Sequence, residues 1–372
     1  MGVIANPYFP IFIIIAIFSA VTANARGRKY TNILLFISFV ILALLAGLRE
    51  FSPDQKTYAL TFKETRSIFD LMIYGINYED LEMEWGFLFL LSIIKTLTSN
   101  VTVMFILLSS INVGIVVYAC KKLSPYPILS VLIYYSWFFY SNLGALRHAF
   151  ISSLLLLTVV FVVNNKFLKS WFLYIASASF HKVGLFVIIV FLVKKIKPKL
   201  GKYLFILSFS FVAAVFGGLF YASFDLLYYY FPESWQNKMN LYIEFSSNGA
   251  FDTDFAGKES IIKGTTIKQL FIVLTSMVYY PILRGKFNDK FNIVFGVYLS
   301  SIILLLLFID FKVASDRVSS YLAISEIILI PMLLTIVSLR ERALILFVIF
   351  GVLFVQISML YGNQLYLYKL VL

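Results

Sequence analysis

The sequence predicts an all-α polytopic integral membrane protein, because its apolar residues are abundant and lie in long continuous runs. Hydrophobic residues make up 61% of the 372 residues, charged residues make up 13%, and the mean hydropathy is +0.90. A soluble protein would carry roughly twice that fraction of charge. The runs do not alternate apolar with polar residues as the strands of a membrane β-barrel do, so they indicate helices.

About ten of these runs are long enough to cross a hydrocarbon core of about 30 Å, which takes roughly 20 apolar residues. The predicted full spans are 8–24, 31–48, 101–119, 126–143, 149–163, 203–221, 267–283, 291–309, 318–339 and 343–360. Together they predict a single transmembrane domain over residues 1–372, supplemented by re-entrant or short helices.

Two further apolar segments do not fit a simple span. The segment from Trp85 to Thr98 is short and contains Lys95, so we expect a re-entrant or interfacial helix. The segment from Trp171 to Val193 is long enough to cross, but lysines flank both of its ends, which places both ends in the cytoplasm. We therefore expect a re-entrant helical hairpin with His181 near its tip.

The distribution of charge predicts the orientation in the membrane. The connectors NARGRKY, KKLSP, NNKFLKS, KKIKPKLGK, RGKFNDK and RER hold 17 of the 31 basic residues and 2 of the 19 acids. Because cytoplasmic loops carry the excess of Lys and Arg, these connectors are predicted to be cytoplasmic. Both termini and two larger loops, 49–84 and 223–267, are then external. The same rule accounts for the net charge of +12, which in a soluble protein would suggest nucleic-acid binding.

Several functional classes are disfavoured by what the sequence lacks. The single cysteine, Cys120, excludes an internal disulfide, and the two histidines argue against a zinc site. No G-x-x-x-x-G-K-[ST] or G-x-G-x-x-G sequence occurs, which argues against nucleotide hydrolysis. The first apolar run, Ile11 to Val21, is followed by positive charge instead of a small-residue cleavage site, so we expect a retained span.

Arginines at the ends of apolar runs are the first candidates for a functional site. Arg147, beside His148, lies between two long apolar stretches without a neighbouring acid, and Arg49 and Arg317 also lie at or near the ends of apolar runs. A guanidinium at membrane depth costs a few kcal/mol or more. One interpretation is that each arginine extends to the headgroups or pairs with an acid. The other is that the three bind an anionic group such as pyrophosphate, for which the planar guanidinium fork is suited.

Three titratable groups are candidates for moving a proton. Asp54 follows a proline in a turn-like SPDQ sequence, and Glu84 immediately precedes an apolar helix. Either carboxylate could deprotonate an acceptor hydroxyl, and so could His181, whose ordinary pKa is closer to neutrality. The alternative interpretations are a turn aspartate, a glutamate that favours the helix dipole, and an interfacial histidine.

Two segments resemble motifs of bacterial O-antigen and exopolysaccharide polymerases, the Wzy-like and EpsG-like family. The run N-L-G-A-L-R-H-A (Asn142–Ala149) is similar to that family's N-x-x-R-Q-x-x-A segment. The run A-S-A-S-F-H-K-V-G-L (Ala176–Leu185) is similar to its A-x-x-F-H-x-S-A-L segment. His148 stands where the family usually has glutamine, and Lys182 and Val183 replace small residues.

Three more segments extend the resemblance over most of the chain in the same order. The run G-L-R-E-F-S-P-D-Q-K-T-Y resembles R-x-x-x-G-x-D-x-x-x-Y, with Pro53 where glycine is frequent, and M-E-W-G-F resembles E-x-G-[YF]. The run D-R-V-S-S-Y-L-A-I-S-E-I-I-L-I-P resembles R-x-x-x-Y followed by a distant proline. These matches place Arg49, Asp54, Tyr58, Glu84, Arg317, Tyr321 and Pro331.

The resemblance implies a GT-C-like membrane glycosyltransferase in the bacterial inner (cytoplasmic) membrane. Such a polymerase transfers a growing glycan from undecaprenyl pyrophosphate to the non-reducing end of an incoming lipid-linked repeat unit at the periplasmic or external face. It implies no nucleotide sugar, and since the sequence shows no metal site, we expect a metal-independent enzyme without a cofactor. The implied pyrophosphate ligands are Arg49, Arg147 and Arg317, the catalytic candidates are His181, Asp54 and Glu84, and His148, Tyr58 and Tyr321 are further substrate-binding residues.

Partners and alternatives follow from the same resemblance. We expect the lipid-linked oligosaccharide and the bilayer as partners, possible contacts with a chain-length regulator and a flippase of the same pathway, and no nucleic acid. An O-antigen ligase or another lipid-donor glycosyltransferase would share the arginines and differ in the acceptor. The non-enzyme alternative is a lipid-linked oligosaccharide flippase or transporter, but the sequence has no evident internal repeat of the kind that such carriers show.

Overall fold

The computed structural model confirms an all-α polytopic membrane protein. It describes residues 7–23, 25–49, 54–74, 83–196, 199–216, 263–309 and 312–361, together with Glu233, Gln236, Asn237 and Asn240. No β-strand occurs among these residues. They divide into two compact units, of which unit 1 comprises 1–188 and 326–372 and unit 2 comprises 189–325. The predicted single domain over 1–372 stays a prediction.

Unit 1 carries most of the helices. They are α1 (Tyr8–Ala23), α2 (Thr31–Gly47), α3 (Gln55–Glu64), α4 (Ile68–Tyr74), α5 (Trp85–Leu97), α6 (Val101–Leu123), α7 (Pro127–Trp137), α8 (Tyr140–Gly144), α9 (Leu146–Val163) and α10 (Phe167–Phe180). Two 3₁₀ helices, Ala25–Tyr30 and Lys182–Val187, lie between α1 and α2 and after α10.

The remaining helices continue the chain through unit 2 and back into unit 1. They are α11 (Ile188–Ile196), α12 (Leu200–Val215), α13 (Gly264–Val278), α14 (Tyr280–Phe287), α15 (Asp289–Leu307), α16 (Lys312–Ala323), α17 (Glu326–Leu333) and α18 (Leu339–Tyr361). Most of the predicted external loop 223–267 lies outside the described residues. The loop 49–84 is described at 49, 54–74 and 83–84, and it contains α3 and α4.

Within the described residues, five helical segments are long and apolar enough to cross a membrane, namely Gly27–Gly47, which is α2 with part of the 3₁₀ helix before it, and α6, α9, α15 and α18. Shorter apolar helices are α1, α5, α7 and α12. The predicted span 267–283 is instead the pair α13 and α14, which bend by 76° at Tyr279. The bend follows from Pro281, since proline has no N–H to donate and its ring clashes with the carbonyl of residue i−4.

Three other predicted segments are also interrupted. The predicted span 126–143 ends as α7 at Trp137 and continues as the short α8. The predicted span 318–339 is divided at Ser325, whose hydroxyl donates to the Leu322 carbonyl at 2.6 Å. The segment 171–193 is broken at His181, as its polar sequence indicated. The short segment that begins at Trp85 forms one helix, and the membrane placement of both segments stays a prediction.

Close backbone contacts hold the helices of unit 1 together. A Cβ atom added to Gly47 would lie 2.6 Å from the Ile106 Cα, so the end of α2 touches the start of α6 directly. Small residues permit such approach between membrane helices, where lipid tails compete with every apolar contact. At one end of unit 1 the Tyr8 ring stacks on the Tyr361 ring at 3.9 Å, and the Tyr135 hydroxyl donates to the Tyr8 carbonyl. Helices α1 and α18 are therefore antiparallel.

A chain of three polar side chains crosses the buried interior of unit 1. The Asn112 amide on α6 donates to the Asn142 Oδ1 on α8, and the Asn142 amide donates to the Tyr134 hydroxyl on α7. All three side chains are buried. Uncompensated polar groups would destabilise this interior, so the mutual hydrogen bonds fix how α6, α7 and α8 meet.

In unit 2, aromatic rings and one ion pair organise the helices. Tyr203 on α12 contacts Phe295 on α15 edge to face, with ring centroids 5.2 Å apart. Gly296 lets α15 approach Val193 and the Tyr203 hydroxyl, which an added Cβ would meet at 2.4 and 2.9 Å. Lys194 pairs with Asp289 at 2.7 Å at the partly exposed start of α15.

Replacing Asn142 with leucine should destabilise unit 1. Asn142→Leu keeps the branched shape and the number of heavy side-chain atoms but leaves the Asn112 amide and the Tyr134 hydroxyl without their Asn142 partner. Interhelical hydrogen bonds in membranes contribute about 0.6 kcal/mol on average and at most about 1.7, so losing two should lower the free energy of unfolding by about 1–3 kcal/mol. The unfolding midpoint of the purified protein in detergent measures this loss. Asn32→Leu, at an exposed position on α2, should change it little, and equal midpoints for both variants would contradict the structural role of Asn142.

Candidate functional site

The candidate site lies in unit 1, where several helices begin or end close together. Glu84 is the residue before α5, Arg147 is the second residue of α9, and His181 is the residue that ends α10. Arg49 directly follows the turn that ends α2. Helix ends suit a site because their last backbone groups are not committed to the helix and because the chain changes direction there.

Glu84 and Arg147 form the central ion pair. The Arg147 Nη1 lies 2.5 Å from the Glu84 Oε2, and the two side chains are 26% and 22% exposed. Glu84 has the extended backbone of a helix N-cap, but its carboxylate makes no cap hydrogen bond to α5. Its side chain is directed to Arg147 instead. This pairing offsets the unfavourable position of a cation at the N-terminus of α9.

His181 lies beside this pair with one ring nitrogen already engaged. The Val183 N–H donates to the His181 Nδ1 at 3.2 Å, and the Glu84 Oε1 is 3.9 Å from the same nitrogen. A nitrogen that accepts a hydrogen bond carries a lone pair, so the neutral ring holds its proton on Nε2. His181 in this arrangement is a donor through Nε2, and its contact with Glu84 is a close approach without a shared proton.

Two glycines bring His181 and Glu84 together. A Cβ atom on Gly86 would lie 2.2 Å from the Ser179 Oγ and 2.7 Å from the Ser179 carbonyl oxygen, so α5 rests directly on the end of α10. A Cβ atom on Gly184 would lie 2.0 Å from the Ser177 carbonyl oxygen, so the chain after His181 turns back onto α10. Larger residues at either position would push these segments apart.

Tyr58 supports Arg147 from the other side. Its ring is 3% exposed and contacts Phe87 on α5, with ring centroids 5.6 Å apart. Its hydroxyl hydrogen-bonds with Arg147. Burial raises the pKa of Tyr58 above its ordinary value, although the charge and hydrogen bonds of Arg147 act in the opposite direction. The phenol therefore stays protonated at neutral pH while it accepts from the guanidinium.

Asp54 and Arg49 lie next to this cluster. Asp54 is the exposed N-cap of α3, one turn before Tyr58, and its carbonyl accepts the Tyr58 N–H at 3.0 Å. Arg49 is 3% exposed, and its Nη1 donates to the Leu143 carbonyl at 3.2 Å. The Gln55 amide donates to the Arg49 carbonyl at 2.7 Å, which connects α2 to α3.

The remaining predicted site residues are His148 in unit 1 and Arg317 and Tyr321 in unit 2. His148 is half-buried and follows Arg147, so on the helix it points about 100° away from it. Arg317 and Tyr321 lie one turn apart on α16 in unit 2, where Arg317 is exposed and Tyr321 is buried. A shared site with Arg49 and Arg147 stays a prediction for Arg317.

Sequence reasoning assigned no role to several residues that build the site. Asn142, in N-L-G-A-L-R-H, holds α8 in place, and Leu143 of α8 accepts from Arg49. Gly86, in M-E-W-G-F, permits the contact between α5 and α10. Both residues were part of recognised motifs, which was the available signal. Phe180, which stacks on Phe150 at 5.6 Å, was likewise part of a recognised motif, as the phenylalanine before His181.

Within the described part of the chain, no three His, Cys, Asp or Glu side chains come together as a metal site. In a comparison with protein families, the model described as the EpsG family matches residues 32–370, which is nearly the whole chain. No curated protein and no solved structure gave a match.

Adding a methyl group at Gly86 should separate α5 from α10. Gly86→Ala introduces a Cβ where Ser179 already lies at 2.2 Å, and overpacking of this kind costs about 1–3 kcal/mol. Gly114→Ala is the matched control, because its Cβ would meet only the Phe39 ring at 3.4 Å. Alanine is the better helix former by about 1 kcal/mol, so the control should be neutral or stabilising. Unfolding midpoints in detergent compare the two, and a Gly86→Ala protein as stable as the control would contradict this packing.

Proposed function

The chain belongs to the EpsG family, which suggests a polysaccharide polymerase-type function, and on this basis we propose its reaction. We propose that it extends a polysaccharide by transferring the growing glycan from undecaprenyl pyrophosphate to an incoming lipid-linked repeat unit. The observation that carries the proposal is the partly exposed cluster of Arg147, Glu84 and His181 at clustered helix ends. The proposed location is the external face of the bacterial inner membrane.

Arg147 is the proposed main ligand of the pyrophosphate. Its guanidinium is partly exposed and is held by Glu84 and Tyr58, so it is oriented before substrate arrives. Glu84 occupies in the free protein the kind of position that an anionic phosphate oxygen would take. Arg49 is buried against α8, so we propose that it strengthens the positive potential around the site, and Arg317 is the third proposed ligand. Positive groups in a low-dielectric site stabilise the charge of the departing pyrophosphate.

The reaction step requires one proton transfer. The acceptor hydroxyl oxygen attacks the anomeric carbon of the growing chain, and the bond from that carbon to the phosphate oxygen breaks. The bonding pair leaves with the pyrophosphate, which gains one negative charge, and the hydroxyl proton passes to a base. Arginines can neutralise the leaving group, so the proposed reaction needs neither a metal nor another cofactor.

The contacts of Glu84 and His181 support a different proposed role for each of these two groups beside Arg147. When pyrophosphate replaces Glu84 on Arg147, the carboxylate is released to accept the hydroxyl proton, so Glu84 is the proposed base. His181 presents a protonated Nε2 and is the proposed hydrogen-bond donor to the leaving group. Asp54, exposed beside Tyr58, is the proposed contact to acceptor sugar hydroxyls, with His148 and Tyr321 as further proposed substrate-binding residues.

Arg147→Ala should abolish chain extension in an assay with purified lipid-linked repeat units. Arg147→Lys keeps the charge and should also be poor, because the lysine loses the bidentate fork that fits a phosphate. Loss of one such contact to developing charge corresponds to about 10²–10³ in rate. Glu84→Gln in the same assay tests the base, for which the expected loss is about 10²–10⁴. Full-length polymer from stable Arg147→Ala protein would overturn the proposal, and transfer to a lipid A core instead of a repeat unit would favour a ligase.

His181 variants distinguish a hydrogen-bond donor from a proton carrier. His181→Ala removes the donor and should slow polymerisation by about 10²–10³. His181→Gln places an amide N–H near the position of Nε2 and should recover most of the rate, because the proposed role needs only a donor. The measurement is the initial rate of product formation at saturating donor. If His181→Gln is as slow as His181→Ala, proton transfer by the imidazole replaces the donor role.

A further inference from the structure

A lateral groove lies between the end of α1 and the start of α18 in unit 1. It has a volume of about 290 Å³, and its lining includes Ala20, Ala23, Leu346 and Phe350. The groove exists because small side chains on α1 face the first turns of α18 and do not fill the space between the helices. Phe347, which also lines it, is 76% exposed, so the groove opens to the side.

One charged side chain lies at the end of this otherwise apolar groove. Arg342 lines it, and its guanidinium lies over the Tyr126 ring at 5.4 Å from the ring centroid. The Arg342 Nη2 also donates to the Val337 carbonyl at 3.3 Å. The stacking and the hydrogen bond hold the guanidinium beside the groove, which reduces the conformational entropy that a bound anion would otherwise have to overcome.

The surrounding charge is predominantly positive. Arg340 is exposed on the same turn of α18, and Lys121 and Lys122 form the last turn of α6 at this end of unit 1. The nearby acid Glu341 accepts a hydrogen bond from the Ser338 N–H at 2.9 Å. The sequence assigns all of these connectors to the cytoplasmic side, where the membrane surface carries anionic lipid.

We propose that this groove binds an anionic diacyl phospholipid, with the headgroup phosphate on Arg342 and one acyl chain along α1 and α18. The shape and the charge point to the same ligand, because basic pockets between membrane helices on the cytoplasmic side suit anionic headgroups. A free phosphate would use only the guanidinium, and a neutral lipid only the apolar walls.

This site is separate from the cluster around Arg147. Tyr126, which lies under Arg342, precedes the first residue of α7, and α7 then runs towards α8 and the start of α9, where Arg147 lies. The stack of Tyr8 on Tyr361 likewise marks the opposite ends of α1 and α18. The groove is therefore a lipid site at the other end of the helix bundle from the proposed chemistry.

Binding of phosphatidylglycerol to the purified full-length protein in detergent tests the proposal. Native mass spectrometry gives the lipid-bound fraction, with phosphatidylcholine as the zwitterionic comparison. We expect phosphatidylglycerol to bind more tightly and Arg342→Gln to weaken it about fivefold, the effect expected for one charge at a membrane surface. Glycerol phosphate, which has no acyl chain, should not compete at the same concentration.

Two further variants test whether binding depends on the groove itself or on surface charge in general. Arg340→Gln also removes one positive charge, but Arg340 lies two residues before Arg342 and does not line the groove. This variant should keep binding within about twofold. Ala343→Phe fills the groove while it keeps Arg342, and it should weaken phosphatidylglycerol as much as Arg342→Gln does. Equal losses for Arg340→Gln and Arg342→Gln would show general surface attraction and overturn the site. Unchanged binding to the Ala343→Phe protein would overturn it as well.

Discussion

The ion pair between Glu84 and Arg147 is the contact on which the candidate site depends. It joins the residue before α5 to the first turn of α9, and α6, α7 and α8 lie between these two helices in the chain. A cation at that helix N-terminus is unfavourable alone, and so is a partly buried carboxylate that has no partner. Each charge makes the other tolerable, and the remaining exposure leaves room for an anionic ligand to exchange with Glu84. Tyr58 and His181 are then arranged around a charge that is already in place.

In the interior of unit 1, neutral polar side chains pair with one another as the charged side chains do at the site. Hydrogen bonds join Asn112, Asn142 and Tyr134, so that their burial defines a specific arrangement of α6, α7 and α8. Apolar contacts alone would specify this arrangement weakly, because lipid tails offer equivalent contacts to every helix. The carbonyl of Leu143, next to Asn142, then receives the Arg49 guanidinium. The buried hydrogen-bond chain and Arg49, a proposed pyrophosphate-binding residue, are thus connected through the adjacent residues Asn142 and Leu143.

The two ends of unit 1 hold arginines in different ways, and the difference suits different anions. Arg147 is paired with a carboxylate that a stronger anion can displace, as a substrate group that arrives and leaves requires. Arg342 is held by a ring and a carbonyl, neither of which competes with a phosphate for the charge. These neighbours support the proposed substrate site at Arg147, where the anion must exchange, and the proposed lipid site at Arg342.

The helical membrane class, the family and the candidate site residues Arg147, Glu84 and His181 could all be predicted from the sequence, because hydropathy and short motifs are local properties. The sequence also located the break at His181, where polar residues interrupt an apolar run. Two contacts became visible only when distant segments were packed together: Glu84 pairs with Arg147 instead of capping α5, and Gly86 rests on Ser179. The 76° bend between α13 and α14 is a different case: the hydropathy of 267–283 predicted one span, but Pro281 is a local signal for the bend. The two contacts made by Glu84 and Gly86 join residues that are distant in the chain. Such contacts depend on packing between segments, which the spacing of residues along one helix does not encode.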